Sequence, residues 1–261
     1  MGVAMVALGL AGANLMALAQ SPPMRGVAHV AVRVADLERS RAFYQQLGFV
    51  QAFAAEKNGK PAESFLKIND RQFLELYPAA DGKSTGFLHL CFEGSDLAAL
   101  HDFYVSRGLQ PTPVKTAGAG NLLFTMAGPE AQNIEYTQYM PGSKHTLDVG
   151  KHLGAERVAT RMEGVDVGFE DVAAAREFYA GKLGFPPMGR DADHFRVPGD
   201  SGQQVDLEVL SPDNRAHILL HTDDLKRTAR ALRQRKIAFE KSRTGLSLRD
   251  PDGNLIELTA R

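Results

Sequence analysis

One pattern of helix and strand signals recurs four times along the chain. Residues 36–49 and 171–185 each begin with an aspartate, carry a Phe-Tyr pair in the middle and end in Leu-Gly-Phe. Weaker copies begin at Asp96 and Asp224. The aspartate suits a helix N-cap, because its carboxylate accepts the free amides of the first turn, and the glycine suits the left-handed residue that ends a helix. Such a repeat restricts the chain to a modular fold.

Each repeat reads as a βαβββ module. An alternating apolar run precedes each helix, and short strand-like runs follow it. The four modules span residues 27–80, 86–140, 162–212 and 215–260. A four-stranded module cannot cover both faces of its own sheet, so we expect two modules to pair into one curved, cup-like sheet. We predict an α+β fold with two such domains, residues 24–140 and 161–261, joined by a linker at 141–160.

Composition limits the classes of function. The chain has 261 residues, of which 44% are hydrophobic, and this is enough for one large domain or two ordinary ones. A net charge of −1 argues against a dedicated nucleic-acid-binding protein, which normally carries a basic excess. Cys91 is the only cysteine, so no intrachain disulfide can form. Nucleic acid is therefore not an expected partner, and a homodimer remains compatible with the sequence.

The N-terminal residues resemble a secretory signal. Residues 2–19 carry no charge and end in Ala17-Leu18-Ala19, a small-x-small pattern suited to signal peptidase. The stretch is marginal in length for a membrane span, and no charged stop-transfer flank follows it. We predict a signal peptide at residues 1–19 and an exported, periplasmic mature protein without a stable membrane span. The alternative is an N-terminal helix that is buried or disordered.

Two histidines and two glutamates occupy matching places in the first two modules. His29, Glu75, His89 and Glu135 are separated by 46, 14 and 46 residues, and each lies in a short apolar run. A single histidine or glutamate in a strand is more often structural than functional. Four at equivalent positions favour one shared divalent metal ion. Imidazole and carboxylate donors together suit Zn, Ni, Co, Fe or Mn, which the sequence does not distinguish. The alternative is a degenerate protein that keeps these residues without metal.

The second pair of modules has an incomplete set. The matching positions there are Gly164, Glu208, His217 and Glu257, with Glu208 uncertain by one or two residues. Because the first of these is a glycine, we expect this half to have lost its metal and to serve as a scaffold, a lid or a dimerisation surface.

These motifs resemble the vicinal oxygen chelate superfamily, which includes glyoxalase I, methylmalonyl-CoA epimerase, extradiol dioxygenases and bleomycin-resistance proteins. The resemblance rests on His29-x-x-x-Arg33-Val34-x-Asp36-Leu37, on the Phe-Tyr and Leu-Gly-Phe signals, and on the run Asp-Pro-Asp-Gly-Asn-Leu-Ile-Glu-Leu at 250–258. It covers nearly everything after residue 24. It implies that the first and last strands of two paired modules supply the metal ligands, here His29, Glu75, His89 and Glu135.

Strand alternation nominates two substrate-binding residues. Arg33 lies four residues after His29 and is expected on the same face, where its guanidinium could bind a substrate carboxylate. An ion pair with a neighbouring acid is the alternative. Cys91 shares a face with His89 and could line the substrate cavity. The alternative is a small thiol that only packs in the core.

The number of ligands bears on the chemistry. Extradiol dioxygenases of this superfamily use two histidines and one glutamate, usually in the second pair of modules when there are two. Four candidates in the first pair instead favour a glyoxalase- or epimerase-like lyase or isomerase that acts on a small oxygenated substrate chelated to the metal. Glu135 is the first candidate for the catalytic base and Glu75 the second. An extradiol ring-cleaving dioxygenase and a non-catalytic small-molecule-binding protein remain the alternatives.

Overall fold

The computed structural model describes residues 21–80, 82–199, 202–211, 216–242 and 244–260. The predicted signal peptide, residues 1–19, lies outside the described residues. Among the described residues, no helix is long and apolar enough to cross a membrane.

The first sheet contains eight strands from the first two modules. In chain order its elements are β1 (Met24–Val34), α1 (Leu37–Gln46), β2 (Gln51–Lys57), β3 (Lys60–Lys67), β4 (Phe73–Pro78), β5 (Gly86–Gly94), α2 (Leu97–Ser106), β6 (Lys115–Thr116), β7 (Leu122–Ala127) and β8 (Asn133–Gln138). The strand order is β2-β3-β4-β1-β5-β8-β7-β6. The first and last strands of both modules therefore lie side by side in the centre of the sheet.

The second sheet repeats this layout with seven strands. Its elements are β9 (Arg161–Phe169), α4 (Val172–Glu177), β10 (His194–Arg196), β11 (Gln204–Val209), β12 (Ala216–His221), α5 (Leu225–Gln234), β13 (Glu240–Lys241), β14 (Gly245–Arg249) and β15 (Leu255–Thr259). The strand order is β10-β11-β9-β12-β15-β14-β13. The two curved sheets confirm the predicted α+β, cup-like fold.

The third module departs from the predicted βαβββ pattern. Among the described residues of this module, only β10 and β11 follow its helix as strands, and the third expected strand is reduced to one bridge between Pro187 and Phe195. Pro186 precedes Pro187. Two consecutive prolines lack the backbone N–H groups that a ladder needs, which explains the lost strand.

The predicted N-caps are present in all four modules. The carboxylates of Asp36, Asp96, Asp171 and Asp224 each accept a backbone N–H from the first turn of the following helix. These bonds satisfy donors that the helix itself leaves free. The repeated aspartates therefore fix where each helix begins.

Buried glutamines join the two sheets. Val27 of β1 donates its backbone N–H to the Gln203 side chain at 2.6 Å. The Gln72 amide donates to the carbonyls of Val27 and Met162, and its oxygen accepts the Met162 N–H at 2.8 Å. Met162 lies on β9, so the first strand of one sheet is bonded to the first strand of the other through side chains.

The segment between the sheets packs against the first sheet. It contains a short helix, α3 (Lys144–Leu147), and its Asp148 is buried. Lys67 of β3 is fully buried, and its Nζ lies 2.8 Å from Asp148 Oδ2 and 2.8 Å from Asp70 Oδ1. A buried ammonium is stable only when it is paired, so this ion pair fixes the segment in place.

Candidate metal centre

The four predicted ligands lie on one face of four adjacent strands, β4, β1, β5 and β8. Glu75 and His89 both pair with the alanine two residues after His29, and Cys91 pairs with both His29 and Glu135. Residues two apart in a strand share a face. The register therefore brings residues that are 106 positions apart in sequence, His29 and Glu135, to the same place.

The donor atoms of these side chains converge. His29 Nε2 lies 3.0 Å from His89 Nε2 and 3.4 Å from Glu135 Oε1, and His29 Nδ1 lies 3.1 Å from Glu75 Oε1. His89 Nε2 lies 3.9 Å from Glu135 Oε2. His29, Glu75 and His89 are almost completely buried, and Glu135 is the most exposed of the four at 18%. Glu135 is thus the ligand candidate most open to solvent.

Burial and neighbouring charge set the protonation of the cluster. Burial raises the pKa of Glu75 to about 7, against the opposing effect of His29. Burial lowers the pKa of His89 to about 4, and the charge of His29 adds to this. For His29, burial lowers the pKa, but the charges of Glu75 and Glu135 outweigh it and leave the pKa raised. His29 therefore lies between two carboxyl groups whose charges favour its protonated form.

These residues fit a divalent metal ion. Two ligand atoms about 2.1 Å from one ion and at right angles lie about 3.0 Å apart, which matches the distance between the two histidine Nε2 atoms. Ligand atoms of His29, Glu75 and His89 also lie within 4.8 Å of one another. A bound cation would require the neutral His29 imidazole, so metal binding would release any proton that the ring carries.

The two predicted substrate-binding residues lie at the edge of this centre. The Arg33 guanidinium donates to the Ser84 carbonyl at 3.4 Å. Arg33 is not among the residues that line the cavity above the ligands. Cys91 is fully buried beneath the cluster, where its Sγ, a His29 nitrogen and a Glu135 oxygen lie within 4.8 Å of one another. Burial raises the pKa of the Cys91 thiol well above its usual range, so it stays a neutral thiol. Neither residue is placed against the open side of the centre.

A cavity of about 500 Å³ opens above the ligands. His29, Glu75 and Glu135 form part of its wall, which places the cluster within reach of a small molecule. Its wall also includes Glu63, Tyr77, Asn121, Lys144 and His145. The Tyr77 hydroxyl donates to Glu75 Oε2 at 2.9 Å and so holds that carboxylate in place.

Sequence reasoning missed His145. Its ring is buried, stacks on Tyr139, and contacts Phe53, Phe65 and Phe73 edge-on. Burial lowers the pKa of His145 to about 3, and the charge of His29 adds to this, so the imidazole is neutral. No repeat pattern could indicate this residue, because it lies between modules.

Hydrogen bonds fix which nitrogen of His145 carries the proton. The Met140 backbone N–H donates to Asn121 Oδ1 at 3.2 Å, which turns the Asn121 amide nitrogen toward His145 Nδ1 at 2.8 Å. Nδ1 therefore accepts, and the proton of the neutral ring is on Nε2. Nε2 is buried and has no hydrogen-bond partner among the described residues. His145 thus presents a donor that a ligand could satisfy.

Glu63 was also missed, although strand alternation could have indicated it. Phe65 pairs with Glu75, and Glu63 lies two residues earlier on the same face of β3. Burial and the charge of Glu135 raise the pKa of Glu63. With Glu56, Glu75 and Glu135, four carboxyl groups therefore line the cavity.

Comparison with known families gave one match. The model of the Glyoxalase/Bleomycin resistance protein/Dioxygenase superfamily matches residues 26–136 and 161–258. These two stretches correspond to the two sheets. A comparison with curated proteins gave no match.

Solved structures with this four-module layout include enzymes of two kinds. The 2,3-dioxygenase LapB from Pseudomonas sp. KL28 has a TM-score of 0.67 at 16% identity, over 91% of this chain and 93% of that one. A homoprotocatechuate 2,3-dioxygenase variant from B. fuscum has a TM-score of 0.70 at 16% identity, over 94% and 73%. The Mn(II)-bound glyoxalase from Novosphingobium aromaticivorans has a TM-score of 0.68 at 16% identity, over 91% and 82%. At this identity, the likeness shows the fold alone.

Proposed function

Because the chain belongs to the Glyoxalase/Bleomycin resistance protein/Dioxygenase superfamily, we propose that it is a metal-dependent lyase or isomerase that moves a carbon-bound proton. The substrate is a small oxygenated molecule with a carbonyl or hydroxyl next to that carbon. The observation that carries the proposal is the buried cluster of His29, Glu75, His89 and Glu135, three of which, His29, Glu75 and Glu135, line one cavity.

His29, Glu75, His89 and Glu135 would hold the metal. A divalent ion supplies Lewis acidity, which polarises a carbonyl and offsets negative charge on its oxygen. Four protein ligands leave up to two positions of a six-coordinate ion for substrate oxygens. A first-row ion such as Mn or Zn suits this mixture of imidazole and carboxylate.

Glu135 is the proposed proton acceptor. It lines the cavity and is the most exposed of the four candidates, whereas Glu75 is buried and held by the Tyr77 hydroxyl. In the forward step a Glu135 oxygen takes the proton from the carbon, and the C–H electron pair moves toward the adjacent carbonyl oxygen. Return of the proton to the neighbouring carbon, or to the other face of the same carbon, gives the isomerised product.

His145 and Lys144 are the proposed substrate contacts. The Nε2–H of His145 is a neutral donor suited to an oxygen on which negative charge develops. Lys144 lines the same cavity, and its Nζ lies 5.8 Å from the centre of the Phe53 ring. A cation at this wall favours a substrate that carries a carboxylate or another anionic group.

The proposal is tested by hydrogen–deuterium exchange in D₂O. A panel of small α-hydroxy and α-keto acids is incubated with Mn²⁺-loaded protein, and loss of the carbon-bound proton is followed by NMR. We expect catalysed exchange in the wild type and a decrease of about 10²–10⁴-fold in Glu135→Gln, the range for loss of a general base. His101→Ala, at a partly buried histidine on α2 outside the cavity, is the matched control.

Two measurements separate loss of the base from loss of metal. Mn²⁺ occupancy is measured by EPR, and exchange rates are compared only where the first centre is filled. His29→Ala should lose both metal and exchange. Oxygen uptake with catechols, without proton exchange, would replace the proposal with ring-cleaving chemistry, and tight ligand binding without either reaction would replace it with sequestration.

A further inference from the structure

The second sheet carries its own cluster of metal-ligand side chains. Asp166 of β9, Glu208 of β11 and His217 of β12 each offer a ligand atom, and these atoms all lie within 4.8 Å of one another. The three strands are adjacent and occupy the central places that β1, β4 and β5 hold in the first sheet. The cluster therefore lies at the position that corresponds to the first centre.

The donors are not a copy of the first set. Gly164 stands where His29 stands, and a Cβ there would lie 1.8 Å from the Gln204 carbonyl oxygen. The backbone thus excludes a histidine at 164. Asp166 pairs with His217 and Asp206, as Ala31 pairs with His89 and Glu75 in the first sheet.

This pairing also corrects the expected equivalents. By register, Asp206 is the counterpart of Glu75, and Glu208 is the counterpart of Tyr77. Asp206 forms an ion pair with His194, so it is engaged outside the cluster. Two of the three donors, Asp166 and Glu208, therefore take positions that hold Ala31 and Tyr77 in the first sheet.

Two buried atoms of the cluster have no hydrogen-bond partner. Asp166 is only 8% exposed, and its Oδ1 accepts no hydrogen bond within the part of the chain that the structure describes. The same holds for His217 Nε2, while the other ring nitrogen of His217 lies 3.8 Å from Asp166 Oδ2. Leaving a buried carboxylate oxygen and a buried ring nitrogen unbonded costs free energy. A cation would satisfy both.

We propose that Asp166, Glu208 and His217 form a second divalent-cation site, independent of the first centre. Two carboxylates and one imidazole contain a larger share of oxygen donors than the two histidines and two glutamates of the first centre, and such oxygen-rich sets suit Mn²⁺. Glu208 and His217 are partly exposed, which gives an ion access from solvent. The second sheet, which has Gly164 at the place of His29, thus holds its metal through Asp166, two residues further along β9.

The test uses Mn²⁺ titrations of the full chain, followed by EPR of free Mn²⁺. The wild type should bind two equivalents and His29→Ala one. In the His29→Ala background, both Asp166→Asn and His217→Ala should weaken the remaining equivalent by about tenfold or more. Asp166→Asn is nearly isosteric and removes only charge, so it tests the site even if His217→Ala folds poorly.

His221→Ala is the matched control. It lies on the same strand and its Nδ1 bonds Glu163 at 3.1 Å, away from the cluster. It should leave binding unchanged. No Mn²⁺ binding by His29→Ala at about 1 mM, or binding that survives both Asp166→Asn and His217→Ala, would overturn the proposal. If only the first centre fails to bind metal, the result differs: the wild type binds one equivalent of Mn²⁺, and His29→Ala does not change that number.

Discussion

The two sheets have one layout but present different side chains at their centres. Both place the first and last strands of two modules side by side. The first sheet presents two histidines and two glutamates, whereas the second presents one histidine among carboxylates. The layout therefore fixes where donors can meet, and the local backbone decides which position supplies them. At Gly164 the close approach of Gln204 removes a donor, and Asp166 supplies one two residues later.

The connecting segment adds a second difference. It supplies His145 to the cavity of the first sheet and is fixed there by Lys67. This segment encloses the first centre and supplies it with polar groups.

Removal of the Lys67 ammonium should have the largest effect on stability. Lys67→Met leaves the carboxylate of Asp148, with a side chain only 6% exposed, with His152 as its remaining partner. Breaking a buried pair in this way costs about 3–5 kcal/mol in the free energy of unfolding. Urea denaturation measures it. The control is Asp70→Asn, at the exposed partner of the same lysine, where the cost should stay near 1 kcal/mol or below.

Restoring a side chain at position 164 should destabilise the second sheet. Gly164→Ala places a Cβ 1.8 Å from the Gln204 carbonyl oxygen, so β9 and β11 must separate. We expect a loss of about 2–4 kcal/mol, as for other overpacked or strained sites. Gly181→Ala has nothing within 4 Å and is the control. Equal melting temperatures for the two variants would show that the first histidine was not lost for steric reasons.

Acid should lower the free energy of unfolding through protonation of His145, which packs against the first sheet. Burial gives His145 a folded-state pKa of about 3, below the ordinary histidine value of 6.5 expected for the unfolded chain. Between these pH values the unfolded chain binds a proton that the folded chain does not. The free energy of unfolding therefore falls as the pH is lowered from 6.5 toward 3, by at most about 1.4 kcal/mol per pH unit for this group.

The substitution His145→Gln isolates this contribution. The slope of stability against pH should be shallower in the variant than in the wild type across that window, measured by urea denaturation at each pH. The same substitution at His101 is the matched control. Parallel curves for wild type and His145→Gln would contradict the buried neutral imidazole.

The N-caps should show the smallest effects and no difference between the sheets. Asp96 accepts the Ala99 N–H and Asp171 accepts the Ala174 N–H, each at about 3 Å. Asp96→Ala and Asp171→Ala should each cost about 1 kcal/mol. A difference well beyond 0.5 kcal/mol, roughly the scatter of such caps, would show that the repeat is not energetically equivalent in the two halves.

Much of the fold could be predicted from the repeat. The aspartates and the Leu-Gly-Phe exits locate the helices, and alternation locates the strands around them. The lost strand of the third module was missed, because the prediction extended the repeat over Pro186 and Pro187 instead of weighing their missing donors. In the third module, the missing N–H groups of the two prolines thus prevent a strand that the repeat alone would predict.

The site divides in the same way. His29, Glu75, His89 and Glu135 were accessible to sequence reasoning, because the repeat gives them equivalent positions. His145 was not, since it belongs to no module and reaches the cavity only through the packing of the connecting segment. Asp166 was not either, because its counterpart is Ala31 and only the close approach of Gln204 to Gly164 shows that the donor has shifted.

The central claim is that the first sheet holds a metal through four side chains. An anomalous difference map from crystals grown with Mn²⁺ tests it most directly. We predict a peak between His29 Nε2 and His89 Nε2, flanked by the carboxylates of Glu75 and Glu135. A map with no peak there, while Mn²⁺ is bound elsewhere in the same crystal, would contradict the account.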